Sequence, residues 1–294
     1  MLTRRGVILA AGAALAGGLV GAGGALAQAQ ASRIVILGGD LAEIVFALGA
    51  GGRAVAADDT SLWPPEAAAL PKVGYLRRLS AEGILSLQPD LVLASASAGP
   101  PSALAQLRAA GLAVETGPEG EGFDVVGAKI AFVGAALGLQ TQAAGLAAQV
   151  AAEMAAVEAA LAELPDTPSV LFLISVANGA PMAAGAGTAA DAMITLAHAR
   201  NAVSGFDGYK PLSTEAALGL APDAVLMPDH VAASSGGAEA ALALARLDAT
   251  PAARNGRVVV MDGLKLLGFG PRTPAAVAEL ARALHPAAAD RLKI

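Results

Sequence analysis

Two α/β lobes with mostly parallel sheets, joined by one long α-helix, are the fold the sequence predicts, on three observations. The 294 residues are enough for about two domains at roughly 150 residues each. Residues 79–94 align without gaps to residues 212–227 with nine identical positions, so one structural unit occurs once in each half. Between the copies, residues 125–164 are almost free of proline and dense in Ala, Leu, Glu and Gln, the strongest helical stretch of the chain.

In chain order, Arg4 and Arg5 precede a Gly/Ala-rich apolar run that closes on Ala25, Leu26 and Ala27, the pattern of a cleaved export signal over residues 1–27. Thr3 to Ile8 also resembles a twin-arginine signal. A first lobe is expected over residues 28–124, with strands at 33–37, 53–57, 91–94 and 112–116. Each copy of the repeat reads as a short helix capped by Ser80 or Ser213, with Glu82 or Glu215 in the first turn, where the helix dipole favours an acid. Pro89 or Pro222 stops the helix, and a continuous apolar strand of the parallel-sheet kind follows at 91–94 or 224–227. Residues 125–139 are read as the bridging helix. A second lobe follows over 140–294, opening with a helix at 141–164 and continuing with strands at 170–175, 224–227 and 257–261. A fainter echo pairs residues 42–55 with 190–203. Strand–helix–strand alternation implies right-handed crossovers and parallel sheets, with ligands bound at the carboxyl ends of the strands. Beyond the leader, no window is expected to be long and apolar enough to span a bilayer.

Composition narrows the function. Hydrophobic residues make up 55%, charged residues 15% and aromatics 3%, too apolar for disorder and poor in stacking platforms for nucleic acid. The formal charge is −6, and loss of Arg4 and Arg5 with the leader lowers it by two, so no phosphate-condensing basic surface is expected. With no cysteine, thiolate metal sites, disulfides and thiol nucleophiles are excluded.

Four blocks carry a resemblance: Val73, Gly74, Tyr75, Leu76, Arg77, Arg78 through Gly83; Met182 to Gly185 with Thr188 to Met193; Gly208, Tyr209, Lys210, Pro211, Leu212, Ser213; and Gly268, Phe269, Gly270, Pro271, Arg272, Thr273, Pro274. In that order, in an exported bilobal chain with a helical bridge, they resemble the haem-binding branch of the periplasmic binding proteins of ABC importers for siderophores, corrinoids and haem. The resemblance implies a monomeric periplasmic carrier that takes ferric haem as its transported ligand and hands it to an ABC permease, and through it to the ATPase. A ferric-siderophore or corrinoid carrier of the same fold is the alternative. Tyr75 is implied as the axial ligand of the haem iron, in keeping with the preference of a hard ferric ion for an anionic oxygen. Arg77 would stabilise the phenolate if the loop is extended, since i and i+2 then share a face. Tyr209 and Lys210 would form the matching edge of the second lobe, with Lys210 and Arg272 at the propionates. Glu82 and Glu215 are implied as the pair that docks on the two permease copies. Ser175 to Asn178, where some members carry a further histidine ligand, holds none, so a single haem is expected. His230 is expected on a surface loop near the cleft, and His198 and His285 receive no role.

An enzyme is the contrasting class. Gly185, Gly187 and Ala190 fit GxGxxA with Asp207 about twenty residues on, but those glycines are expected some ten residues past the nearest strand. GxSxG and HExxH are both absent, and a non-enzyme is expected.

Overall fold

The computed structural model describes residues 31–176 and 181–292, so the expected leader lies outside the described residues. The first lobe is a four-stranded, wholly parallel sheet of β1 (Ile34–Leu37), β2 (Ala54–Ala57), β3 (Leu91–Ala94) and β4 (Ala113–Thr116), in the order β2-β1-β3-β4. Helices α1 (Gly39–Ala47), α2 (Pro65–Ala68), α3 (Ala81–Leu85) and α4 (Pro101–Ala109) fill the crossovers. The chain then leaves through α5 (Asp124–Leu137) and α6 (Gln140–Leu161). Gly138, at φ 70°, ends α5 in the left-handed conformation that glycine tolerates best.

The second lobe holds β5 (Ser169–Ser175), β6 (Met182–Ala184), α7 (Ala189–Leu196), β7 (Arg200–Asn201), β8 (Tyr209–Pro211), α8 (Thr214–Leu220), β9 (Ala224–Pro228), α9 (Asp229–Ser235), α10 (Ala238–Ala245), α11 (Pro251–Arg254), β10 (Val258–Met261), α12 (Gly263–Leu267) and α13 (Thr273–Leu284). Its sheet runs β10-β9-β5-β6-β8, with β7 paired to β5. The pairings of β10, β9, β5 and β7 are parallel, whereas β6 and β8 are antiparallel to their neighbours, so this sheet is mixed.

Alternation along the strands sorts the core. Ile34, Ile36, Leu91 and Leu93 of the first sheet join Val133 of α5, Val150 and Met154 of α6, Val170 and Phe172 of β5 and Leu280 of α13 in one buried cluster that runs through both lobes. The opposite faces hold separate clusters, Val35, Leu37 and Val92 in the first lobe and Leu171, Leu173 and Val225 in the second. Sharing one core across the lobes limits their relative movement, because displacement would open voids in close-packed apolar contacts.

One expectation needs correction. Helix α6, with 22 residues and a window of mean hydropathy 1.3, is long and apolar enough by composition to cross a membrane. Its apolarity comes largely from alanine, and Ala143, Val150, Met154, Val157 and Leu161 form a buried stripe that joins the shared core.

Candidate functional site

Tyr75 is placed by its backbone neighbours. Beyond β2 the chain returns alongside that strand. Ala57 N–H donates to Pro71 C=O at 3.0 Å, Val73 N–H to Ala57 C=O at 3.1 Å, and Asp59 N–H to Gly74 C=O at 3.0 Å. On the other side Gly99 N–H donates to Leu76 C=O at 2.9 Å and Leu79 N–H to Gly99 C=O at 3.0 Å. Tyr75 therefore sits between two fixed carbonyls, at the carboxyl end of the sheet. Gly74 has φ 97°, a conformation that a side chain would strain. Leu76 and Leu79 are buried while the Tyr75 side chain is 40% exposed. Its ring meets the Arg78 guanidinium, 5.7 Å from the centroid, and among the described residues its hydroxyl has no hydrogen-bond partner.

The support beneath that loop is Asp58, fully buried. Its Oδ1 accepts from Gly38 N–H at 2.8 Å and Ser61 Oγ at 2.9 Å, and its Oδ2 from Thr60 N–H at 2.9 Å and Thr60 Oγ1 at 2.6 Å. One carboxylate thus fastens the turn after β1 to the loop after β2. Lys72 Nζ adds bonds to the Ser61 and Ala67 carbonyls at 2.8 and 3.2 Å, and burial pulls its pKa below the usual lysine value against the attraction of Asp58 and Asp59.

The arginine arrangement differs from the extended-loop expectation. Arg78 N–H donates to Tyr75 C=O at 2.8 Å, so the chain turns at Tyr75 and brings Arg78, not Arg77, over the ring. The charge of Arg77 instead acts on Glu121 and on Tyr209 of the other lobe. Burial raises the Glu121 pKa, with Lys129 and Arg77 opposing.

Tyr209 and Lys210 lie on β8, paired to Ala184 and Ala183 of β6. Neighbouring residues of a strand face opposite sides, and the expected pair is split accordingly. The Tyr209 ring lies 6.5 Å from Phe172 of the shared core, whereas Lys210 Nζ is 5.4 Å from the Phe206 ring on the other face. Burial and the nearby Glu121 raise the Tyr209 pKa, outweighing hydrogen bonds from Ala190 N–H and Thr188. Tyr209 therefore stays a neutral phenol.

The glycine motif also takes its meaning from β6, a strand too short to read in the sequence. Gly185 follows β6 directly, correcting the expectation that the nearest strand ends far upstream. The helix that follows does not offer a free phosphate seat. Thr188 caps α7, accepting from Asp191 N–H at 3.1 Å, and Asp191 Oδ2 accepts from Gly187 N–H at 3.2 Å. A carboxylate already occupies the position where an anion would bind.

Arg272, expected at a propionate, is committed elsewhere. It donates from Nε to Glu43 Oε1 at 3.0 Å, pairs the same oxygen through Nη2, and stacks over Trp63 with 4.7 Å to the centroid. Glu43 belongs to α1 of the first lobe, so this is a contact between lobes. Burial pushes the Glu43 carboxyl above its ordinary value and Arg272 opposes that shift. Beside it Lys129 of α5 pairs with Asp40 at 2.8 Å and donates to the Gly268 and Phe269 carbonyls at 3.1 and 3.4 Å. Sequence reasoning missed Asp40, Glu43 and Lys129. Their signal was charge inside an apolar helix, two acids in α1 and a lysine in α5, residue types rarely buried unless paired.

Glu82 and Glu215 are both exposed in the first turns of α3 and α8. Ser80 Oγ accepts from Gly83 N–H at 3.4 Å and Ser213 Oγ from Ala216 N–H at 3.1 Å, so the two copies are capped alike. His230 lies in the first turn of α9, its side chain 63% exposed and its Nδ1 3.8 Å from Asp229. Ala177 and Asn178 lie outside the described residues. Among the described residues, no group of three or more His, Asp or Glu is placed to hold a metal ion.

Two α/β lobes, one with a parallel and one with a mixed sheet, that share a core and are joined through helices have the architecture of a solute-binding protein. Residues 34–263 match the periplasmic binding protein family, and the chain belongs to it. An uncharacterized ABC transporter substrate-binding lipoprotein of Bacillus subtilis is 28% identical over 260 residues, 87% of this chain and 81% of that protein. A vitamin B12-binding protein of Vibrio cholerae is 38% identical, but over 84 residues, 29% of this chain and 30% of that protein. Among solved structures, the periplasmic heme-binding protein BhuT, in complex with two hemes, has 48% identity and a TM-score of 0.81, covering 88% of this chain and 98% of that one. The periplasmic heme-binding protein RhuT from Roseiflexus sp. RS-1 has 42% identity and a TM-score of 0.83, covering 90% and 100%.

Proposed function

We propose that this protein captures ferric haem in the interlobe cleft, outside the inner membrane, with Tyr75 as the axial ligand of the iron, and delivers it to an ABC importer. The observation that carries the reading is the Tyr75 side chain, 40% exposed, on a loop held by two backbone clamps, with no hydrogen-bond partner for its hydroxyl among the described residues. A phenol so fixed binds a hard ferric ion with little ordering cost. The Arg78 guanidinium lies over the ring, 5.7 Å from its centroid. Arg77, whose charge acts on Tyr209 of the other lobe, is the cation left for the propionates, since Lys210 lies on the opposite face of β8, and Tyr209 supplies an aromatic wall against Phe172. Each charged hydrogen bond to a propionate contributes about 1.5–3 kcal/mol.

Haem is favoured over a corrinoid because the heme-binding neighbours match at 42% and 48% identity over 90% and 88% of the chain, whereas a vitamin B12-binding neighbour that covers 87% of it is only 23% identical and the 38% match of another spans under a third of it. The protein acts by binding and release, not catalysis. Titration of the purified protein with hemin tests the reading: a saturable Soret change with tyrosinate-type charge-transfer absorption is expected. Saturable binding of cyanocobalamin with none of hemin would overturn it.

A further inference from the structure

The contacts between the first lobe and residues 262–272 of the second combine one close apolar approach, one buried ion pair, Glu43–Arg272, and Lys129 of the bridging helix, which pairs with Asp40 of the first lobe and bonds to carbonyls of the second. Gly39 admits Leu264 so closely that a Cβ there would lie 2.6 Å from Leu264 Cδ1 and 2.4 Å from Thr60 C=O. Apolar contact of this kind has no preferred register. The ion pairs do: the Arg272 side chain is 22% exposed and its Glu43 partner 5%, and Lys129 and Asp40 are 9% and 10% exposed. Charges so poorly hydrated are stabilised only while each faces its partner, so lobe sliding would leave them uncompensated. Lys129 reads the other lobe as well, through the Gly268 and Phe269 carbonyls. Trp63, from the loop after β2, closes over the Arg272 guanidinium, and Asp262, 3.9 Å from Arg272, steers it from the second lobe.

We propose that the Glu43–Arg272 pair, and Lys129 where it ties Asp40 to the Gly268 and Phe269 carbonyls, are interlobe fasteners that set the opening of the cleft, and that Arg272 is a positioning residue rather than a partner of the cargo. The inference rests on the haem reading for its functional consequence, since it fixes the span between the Tyr75 loop and the Tyr209 wall. The fastening itself is independent of any ligand.

Because the chain has no cysteine, spin labels can be placed at Ala110→Cys and Ala243→Cys, exposed positions in different lobes. Pulsed electron resonance then reads the interlobe distance in the ligand-free full chain. One narrow distribution is expected for the parent, with clear broadening in Glu43→Gln and in Arg272→Gln and a smaller effect in Arg272→Lys, which keeps the charge. Hemin affinity is expected to fall about tenfold in either glutamine variant, with the charge-transfer absorption unchanged and the double variant no weaker than the worse single one, as partners in one network behave. Unchanged distance distributions in folded Glu43→Gln and Arg272→Lys overturn the fasteners. So does tighter hemin binding in Glu43→Gln combined with weaker binding in Arg272→Gln, the pattern of an arginine released to a propionate. If the parent binds no hemin, the haem reading fails, and the distance measurement alone decides the fasteners.

Discussion

Two tyrosines face the same cleft and their surroundings give them different chemistry. Both side chains are partly exposed, Tyr75 at 40% and Tyr209 at 39%, but desolvation and Glu121 raise the Tyr209 pKa against hydrogen bonds from Ala190 and Thr188, whereas the Tyr75 ring lies under the Arg78 guanidinium and its hydroxyl has no hydrogen-bond partner among the described residues. Tyr75→Phe retains the ring and its packing and removes only the oxygen, so hemin affinity should fall by about 100-fold, ~2.7 kcal/mol, with loss of the charge-transfer band. Tyr209→Phe should change affinity far less. Equal losses in the two variants, read by optical titration, would contradict the assignment. A second single-residue effect concerns stability. Burial, aided by His198 and Arg257, lowers the His285 pKa below 6.5, so the unfolded chain binds more protons than the folded one just below that pH. Stability from this site is complete above pH 6.5 and declines as pH falls through the window beneath it. Tm should therefore drop between pH 7 and pH 5.5, and His285→Gln should reduce the drop. An identical pH dependence in that variant removes His285 from the account.

At the scale of elements, the site depends on how loops hang from strand ends. Asp58→Ala strands the buried Gly38 and Thr60 N–H groups, each costing about 1–3 kcal/mol. A loss of about 3 kcal/mol corresponds to a Tm decrease of roughly 6–12 °C in a chain of this size. Because Asp59 and Gly74 are joined through the same loop, the Tyr75–haem absorption should also become heterogeneous. A fall in Tm with an unaltered haem spectrum would separate Asp58 from ligand placement. These loops also show what the sequence conveyed. The repeated helix–strand unit was legible because Pro89 and Pro222 stop its helices and a continuous apolar run follows each of them. Strands β6 and β8 were not, since three residues carry no measurable alternation and glycine flanks each of them. Missing β8 hid the split of Tyr209 from Lys210. The turn at Tyr75 hid the exchange of Arg77 for Arg78, because an i to i+3 backbone bond has no signature in the side chains that surround it. The buried charges of α1 and α5 were visible as residues but not as partners, which lie far away in sequence, Lys129 from Asp40 and Arg272 from Glu43.

Over the whole molecule, a core shared by both lobes limits their relative movement, so a docking surface for a permease is the same with and without ligand. The repeated units supply such a surface. Glu82 and Glu215 occupy the same place in equivalent helices, each exposed at a capped first turn, one on each lobe. Their helices owe them only about 0.3–1 kcal/mol each through the dipole, so structural need alone is a weak reason for the pairing. A symmetric pair of acids fits a partner that presents two equivalent basic sites, and charge contacts at an exposed rim govern the rate of docking more than the lifetime of the complex. Glu82→Ala combined with Glu215→Ala should leave hemin affinity and Tm nearly unchanged, while slowing haem delivery into proteoliposomes that contain the cognate importer. The loss should exceed that of either single variant and should shrink as salt is raised, because screening weakens the parent's docking toward that of the variant. Delivery at the parental rate by the double variant, measured at low salt, would show that the permease reads another part of the surface.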